Sequence, residues 1–203
     1  VGGAVSKLIL RNSPIPCTAT EYFTTFVDNQ TGIDFNIVQG ERELAKDCRT
    51  LGRFKLSGLP PMPAGMAKVQ LTFLVDANGI LICEAREQTV GVQAHVQVTP
   101  THGLTDEEVE RMIVDSIEKA EEDFGARKLV EARTEATRVV HVTRKSLSES
   151  EGLITPEQVA ALAKAVDELD ASLAGDDADQ IMALMDDVNQ KGLPLAEAMK
   201  QCI

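Results

Sequence analysis

The amino-acid sequence predicts two subdomains of different class, a β-sandwich over residues 1–103 followed by an α-helical bundle over residues 104–203. Three observations carry this division. Residues 1–100 hold nine Lys/Arg and nine Asp/Glu, so the whole net charge of −12 falls beyond them, where 11 basic and 23 acidic side chains stand. Six of the seven aromatics and six of the eight prolines lie in the first part, and Phe124 is the lone aromatic of the second. The apolar spacing also changes near Pro100, from a period of two to one of about 3.6.

The strands come first. Ile33, Phe35 and Ile37 alternate with Asp34 and Asn36; Val69, Leu71, Phe73 and Val75 alternate with Gln70 and Thr72; Val92, Ala94, Val96 and Val98 alternate with Gln93, His95 and Gln97. Each run therefore has one face to bury, around an aromatic interior. Asp76-Ala77-Asn78-Gly79 separates two such runs, and Asn-Gly is a strong hairpin signal because both residues tolerate positive φ, so strands at about 68–75 and 80–87 are predicted to pair antiparallel. Pro60, Pro61 and Pro63 cannot donate ladder hydrogen bonds, which makes 59–65 a loop or a sheet edge.

The helices follow. Thr105 with Glu108 three residues later is a capping box. Val109, Met112, Ile113, Ser116, Ile117, Ala120 and Phe124 are predicted to share one narrow apolar face, and a second helix to continue through Arg127 to about Leu147, with Gly125 the place for a bend or break. Thr155-Pro156-Glu157 opens a third helix, which carries Val159, Leu162, Val166 and Leu169 inward until Gly175. A fourth runs from about Asp177 to Gln190 through Ile181, Leu184, Met185 and Val188, and Gly192 followed by Pro194 reads as its stop.

Composition narrows the function. A content of 43% hydrophobic and 26% charged residues suits a soluble globular chain, and with 3% aromatics and no Trp the core must be built mostly from Val, Leu, Ile and Ala. The acidic balance, with a pI near 4.7, argues against nucleic-acid partners, which need clustered Lys and Arg. No run of about 18 apolar residues occurs and no charged-then-apolar signal opens the chain, so no membrane insertion or export is expected and a cytoplasmic address follows. The missing initiator Met is read as the mark of a fragment.

Chemistry-bearing motifs are few. Cys17, Cys48, Cys83 and Cys202 are scattered, without a C-x-x-C or a His at ligand spacing, so reduced thiols and no metal site are expected. There is no G-x-x-x-x-G-K and no G-x-G-x-x-G, hence no nucleotide site. His95, His102 and His141 have no partner nucleophile suggested by a local motif, and His95 falls on the polar side of its strand. Cys83 with a distant His is a conceivable nucleophile, but its spacing is that of ordinary strand packing. No catalytic residue is assigned.

Several segments together carry a resemblance: Gly2-Gly3, Arg11-Asn12-Ser13-Pro14-Ile15-Pro16, Gln39-Gly40-Glu41-Arg42, Leu51-Gly52-Arg53-Phe54, the proline loop from Gly58 to Gly65, Val75-Asp76-Ala77-Asn78-Gly79-Ile80-Leu81 and Gly103-Leu104-Thr105-Asp106-Glu107-Glu108. In order and spacing the chain resembles, nearly end to end, the substrate-binding and lid region of the seventy-kilodalton heat-shock chaperones of the DnaK type. Phe23-Thr24-Thr25-Phe26, Glu41-Arg42-Glu43-Leu44 and Asp47-Cys48-Arg49 are more similar to the HscA branch, devoted to iron-sulfur cluster assembly; Ala120-Glu121 and Ala126-Arg127 lean the same way.

That resemblance implies a β-sandwich that binds an extended apolar peptide under an α-helical lid. Its groove would involve Phe23, Gln30, Ile33, Phe35 and Val69, with Val1 and Phe26 as the two sides of an arch over the bound backbone. DnaK-type proteins usually place Met and Ala at the arch positions; here Phe26 puts the bulk on the opposite side, as in the HscA branch. From the residues alone Ile33 and Phe35 read as core; with the resemblance Ile33 becomes a pocket wall, and Phe35 stays divided between core and site. His141-Val142-Thr143-Arg144-Lys145 resembles the family's lid segment near the hinge and Asp28 matches its partner, so an Asp28–His141 latch is implied, with a merely solvated His141 as the competing reading. The second family latch, an Arg with an Asp, is lost, because those positions hold Ala64 and Thr137.

The implied partners are a client offering a short Leu-Pro-Pro type segment, namely an iron-sulfur scaffold protein, and a J-domain co-chaperone acting through an ATPase domain that this chain lacks. ATP and its magnesium belong to that domain, so no cofactor is expected here. A general DnaK-like holdase is the alternative, and a cysteine-based metal or cluster carrier the alternative of another class. Weak self-association is a further expectation: the Leu59-Pro60-Pro61-Met62-Pro63 loop, or the tail ending at Ile203, could enter the groove of another copy, against the simpler reading that Leu59 and Met62 pin the loop to its own sandwich.

Overall fold

Alternation in the first half becomes six antiparallel strands in the computed structural model, which describes residues 2–98, 104–149 and 152–201. They are β1 (Cys17–Phe23), β2 (Gly32–Gln39), β3 (Arg49–Ser57), β4 (Val69–Val75), β5 (Leu81–Glu87) and β6 (Gln93–Val98). One sheet has the order β1-β4-β5-β6 and the other pairs β2 with β3. Their inner faces share one core, in which Phe35, Ile37 and Leu56 of the small sheet meet Val69, Leu71, Cys83 and Ala85 of the large one. The Phe35 ring stacks on Phe54 at 5.1 Å and takes the edge of Phe23 at 5.8 Å, an aromatic bridge between the two sheets.

Two of these strands, β1 and β3, were not singled out by alternation. Thr18, Thr20, Glu21 and Tyr22 face solvent along β1, and Gly52 and three cationic residues interrupt the apolar pattern of β3. At Gly52 a Cβ would lie 3.3 Å from a methyl of Val98, a tight approach where β3 passes beside β6.

The β4–β5 hairpin forms with the expected antiparallel pairing, Val75 lying opposite Leu81. Its turn differs from the expected one in that only Gly79 has a left-handed φ, 78°. The Asp76 carboxylate accepts from the amides of Asn78 and Ile80 at 2.8 and 2.9 Å and so holds Asn78 in an ordinary turn conformation.

Four helices follow: α1 (Asp106–Glu118), α2 (Ala120–Glu149), α3 (Pro156–Ser172) and α4 (Ala178–Gln201). Their starts are where local chemistry put them. Thr105 with Glu108, and Thr155 with Gln158, form complete capping boxes. Asp177 accepts from the amides of Asp179 and Gln180.

The interruptions fall elsewhere than expected. The first two helices part at Lys119, while Gly125 lies within α2, a cost of about 1 kcal/mol that a 30-residue helix absorbs. The apolar face expected from Val109 to Phe124 accordingly divides: Val109, Met112, Ile113 and Ser116 are half-buried, but Ile117, Ala120 and Phe124 are exposed. Val159 is also exposed, whereas Leu162, Val166 and Leu169 are in the core.

The expected stop at Gly192 and Pro194 does not occur, and α4 runs on to Gln201. Pro194 removes one backbone donor, but Leu195, two turns beyond Val188, is buried with Val188 and Ile181 among Ala132, Ala136, Val140 and Leu169. Burying that side chain, with Met199 packed against the same core, offsets the roughly 3 kcal/mol that a Pro costs inside a helix.

The chain forms two compact units, one spanning Gly3–Asp123 and one containing Phe124–Ile203.

Candidate functional site

Seven of the residues singled out in the sequence, Asp28 and Gln30 among them, gather at one end of the sandwich, around the loop from β1 to β2. Burial falls off along β2 from Ile37 and Phe35 to a half-buried Ile33, all three on the inner face. Phe23 closes β1 opposite Val69, which is fully buried, and is itself half-buried. Phe26, half-buried, sits in the loop between them. Phe35 and Val69 are buried, whereas Phe23, Phe26 and Ile33 are partly exposed.

Gln30 fixes the loop. Its Oε1 accepts from the amides of Phe26 and Val27 at 2.9 and 3.4 Å, and its Nε2 donates to the carbonyl of Gly32 at 2.7 Å. One side chain thus stands in for the strand pairing that a short loop cannot make.

A second loop braces the first. The amides of Gly58 and Leu59 both donate to the Thr31 carbonyl at 3.0 Å, Asn29 donates to Met62 O, and Gly65 donates to Thr25 O. Asp28 Oδ1 accepts from the Ala64 amide at 2.8 Å. Asn29 takes a left-handed φ of 57°, tolerable for Asn, to present its amide to this bridge. Leu59 is buried and Met62 half-buried, so the proline loop is anchored at both. Beside Phe23 lies a shallow open depression of about 470 Å³, bordered by Tyr22, Thr24, Ala67, Lys68 and Gln88.

Glu87 shares a row with Phe23 and Val69 and has no solvent-exposed surface. Burial pushes its carboxyl pKa up, but the Val90 and Thr89 amides, at 2.6 and 2.8 Å, outweigh that and hold it below the usual carboxylate range. It is a charged plug for the β5–β6 turn.

His141 is exposed on α2. Val1, His102, Cys202 and Ile203 lie outside the described residues. His95 is exposed on the outer face of β6.

Cys83 and Cys48 have no reactive setting. Burial pushes the Cys83 thiol up to about 12 and raises that of half-buried Cys48. Among the described residues no group of His, Cys, Asp and Glu could hold a metal ion, and no helix is long and apolar enough to cross a membrane.

One pair that sequence reading did not find ties the loop after β2 to the first turn of α2. Arg42 Nη2 donates to Asp123 Oδ1 at 2.6 Å, and Arg42 Nε and the Glu43 amide donate to Oδ2. No spacing rule relates residues 81 apart; the only signal was an Arg between two glutamates, Glu41 and Glu43.

The sequence model of one family, described as Hsp70 protein, matches residues 1–201. The chain is 46% identical over 177 residues to Chaperone protein HscA of Photorhabdus laumondii, covering 87% of this chain and 29% of that protein. It is 45% identical over 197 residues to the HscA homolog of Acidithiobacillus ferrooxidans, covering 97% of this chain and 32% of the relative. The HscA homolog of Delftia acidovorans is 45% identical over 183 residues, 90% of this chain and 29% of its own length. The chain thus spans about three-tenths of the curated relatives it matches.

Proposed function

The chain belongs to the Hsp70 family, and on that premise we propose that it is the peptide-binding and lid part of a chaperone that holds an iron-sulfur scaffold protein through a short Leu-Pro-Pro type segment. The observation that carries the reading is the loop from β1 to β2. Gln30 and the proline loop fix it, so that Phe23, Phe26 and Ile33 stand as a preformed apolar rim over a floor of Phe35 and Val69. A rim that is already ordered loses little freedom on binding. A proline-containing segment, itself restricted, loses little as well.

Phe26, together with Val1, would arch over the bound backbone. The helices from α2 onward would serve as the lid. ATP hydrolysis, and a J-domain co-chaperone that stimulates it, would belong to the part of the whole protein outside this chain, in the cytoplasm. The buried thiols speak against a cysteine-based carrier, because a metal or cluster ligand must be a thiolate.

A general holdase with many clients is the second reading. Titrating the chain with a labelled Leu-Pro-Pro peptide and with an unrelated apolar peptide separates the two. Clear preference for the first supports the iron-sulfur branch, equal affinity supports the holdase, and binding of neither overturns both.

A further inference from the structure

The turn between β4 and β5 carries chemistry that peptide binding does not use. Asn78 is exposed, and it precedes Gly79, where nothing lies within 4 Å of the place a Cβ would occupy. With no side chain on the following residue, the Gly79 nitrogen has an open approach to the Asn78 side-chain amide. That arrangement makes Asn-Gly the pair most prone to ring closure in a flexible chain.

In the folded turn this nitrogen is engaged. The Gly79 amide donates to the Asp76 carbonyl at 3.0 Å, and the Asp76 amide donates to the Ile80 carbonyl at 3.0 Å. The Asp76 carboxylate adds two further bonds, from the amides of Asn78 at 2.8 Å and Ile80 at 2.9 Å. The N–H groups of Asn78, Gly79 and Ile80 are therefore all tied to Asp76.

We propose that Asn78 is a site of spontaneous deamidation and that Asp76 sets its rate by keeping the Gly79 nitrogen inside the turn. The Gly79 N–H gives its proton to solvent base, and the nitrogen lone pair forms a bond to Asn78 Cγ. The Cγ–Nδ2 bond breaks, and Nδ2 leaves as ammonia after taking up a proton. Water opens the resulting succinimide. Attack at Cγ gives aspartate, and attack at the backbone carbonyl gives isoaspartate, which lengthens the main chain by one methylene. The net change is amide plus water to carboxylate plus ammonium, with nothing oxidised or reduced.

The position limits the consequence. The hairpin closes the Val75–Leu81 end of the sheet, whereas Phe23 stands at the Val69 end. Deamidation should therefore loosen the β4–β5 pairing and leave the apolar rim intact.

The test follows product at Asn78 during incubation at neutral pH, by peptide mass mapping and isoaspartyl methyltransferase labelling. It compares the parent chain, the parent in denaturing urea, Asp76→Ala, Asp76→Asn and Asn78→Ser. The parent should react more slowly than the urea-unfolded chain. Asp76→Ala should react about fivefold faster than the parent, equivalent to about 1 kcal/mol, the usual net worth of a hydrogen bond. Asp76→Asn keeps an oxygen that accepts from both amides and should stay close to the parent, while Asn78→Ser should give no product. Equal rates in the parent and in urea overturn the proposal, as does an unchanged rate in a folded Asp76→Ala. Should Asp76→Ala fail to fold, the Asp76→Asn rate decides: parent-like supports the proposal, and a rate like that in urea overturns it.

Discussion

Arg42 and Asp123 form a largely buried two-point ion pair between the loop after β2 and the first turn of α2, with the guanidinium 14% and the carboxylate 6% exposed. The pair is matched in geometry, and the Glu43 amide supplies a third donor to the carboxylate. Removing one partner strands the other. Asp123→Ala should destabilise the first unit by about 2 kcal/mol, whereas Arg42→Met with Asp123→Leu should recover most of the loss. Urea unfolding of the single and double variants measures this.

The same pair gives a pH dependence of known sign. Its hydrogen bond from Arg42 holds the Asp123 carboxyl below the usual carboxylate range, against the effect of burial. A depressed folded value adds stability above the unfolded value of about 3.9 and loses it as pH falls through the folded one. The acid limb of the stability curve below about pH 4 should therefore be shallower in Asp123→Asn than in the parent.

Leu195 holds the end of α4. Leu195→Ala should cost the helical unit about 2–3 kcal/mol and fray the turns around Pro194, while the exposed Leu193→Ala should change stability little. Hydrogen exchange across 190–201 reads the fraying directly.

What the sequence made legible follows the range of the interaction that decides it. The capping box at Thr105, the helix start at Thr155 and the antiparallel pairing of the strands on either side of Asn78-Gly79 are settled within a few residues, and they stand as read. Gly192 and Pro194 looked like a stop because stop signals are local, yet the burial of Leu195 against α2 and α3 decides the helix. At the site, alternation put Ile33 and Phe35 on one face but carried no information on depth; that Phe35 is floor and Ile33 half-open depends on how far the two sheets overlap. The Gln30 clamp was legible only as a residue type, since a loop's hydrogen bonds follow from its path.

Gln30 is a positioning residue for the proposed rim. Gln30→Ala frees the amides of Phe26 and Val27 and the carbonyl of Gly32, and should weaken peptide binding about tenfold, or 1.4 kcal/mol. The loss should appear as faster dissociation, with the thermal midpoint of the sandwich little changed.

Thiol chemistry should be dispensable. Replacing Cys17 and Cys48 by Ser and Cys83 by Ala should leave peptide affinity at the parent value. In the parent, Cys83 should resist alkylation at neutral pH until the sandwich unfolds, because its thiol is pushed up to about 12 and it has no exposed surface. Titration with a chromogenic thiol reagent, before and after urea, counts it.

The central claim is that the half-buried Ile33 lines a peptide site. It is tested most directly by titrating a labelled Leu-Pro-Pro peptide into the parent and into Ile33→Phe, with circular dichroism to establish that both are folded. The parent should bind with a dissociation constant in the micromolar range, about −8 kcal/mol, and the enlarged side chain should weaken binding at least about tenfold by filling the space a client side chain would take. An unchanged affinity in folded Ile33→Phe would contradict the account.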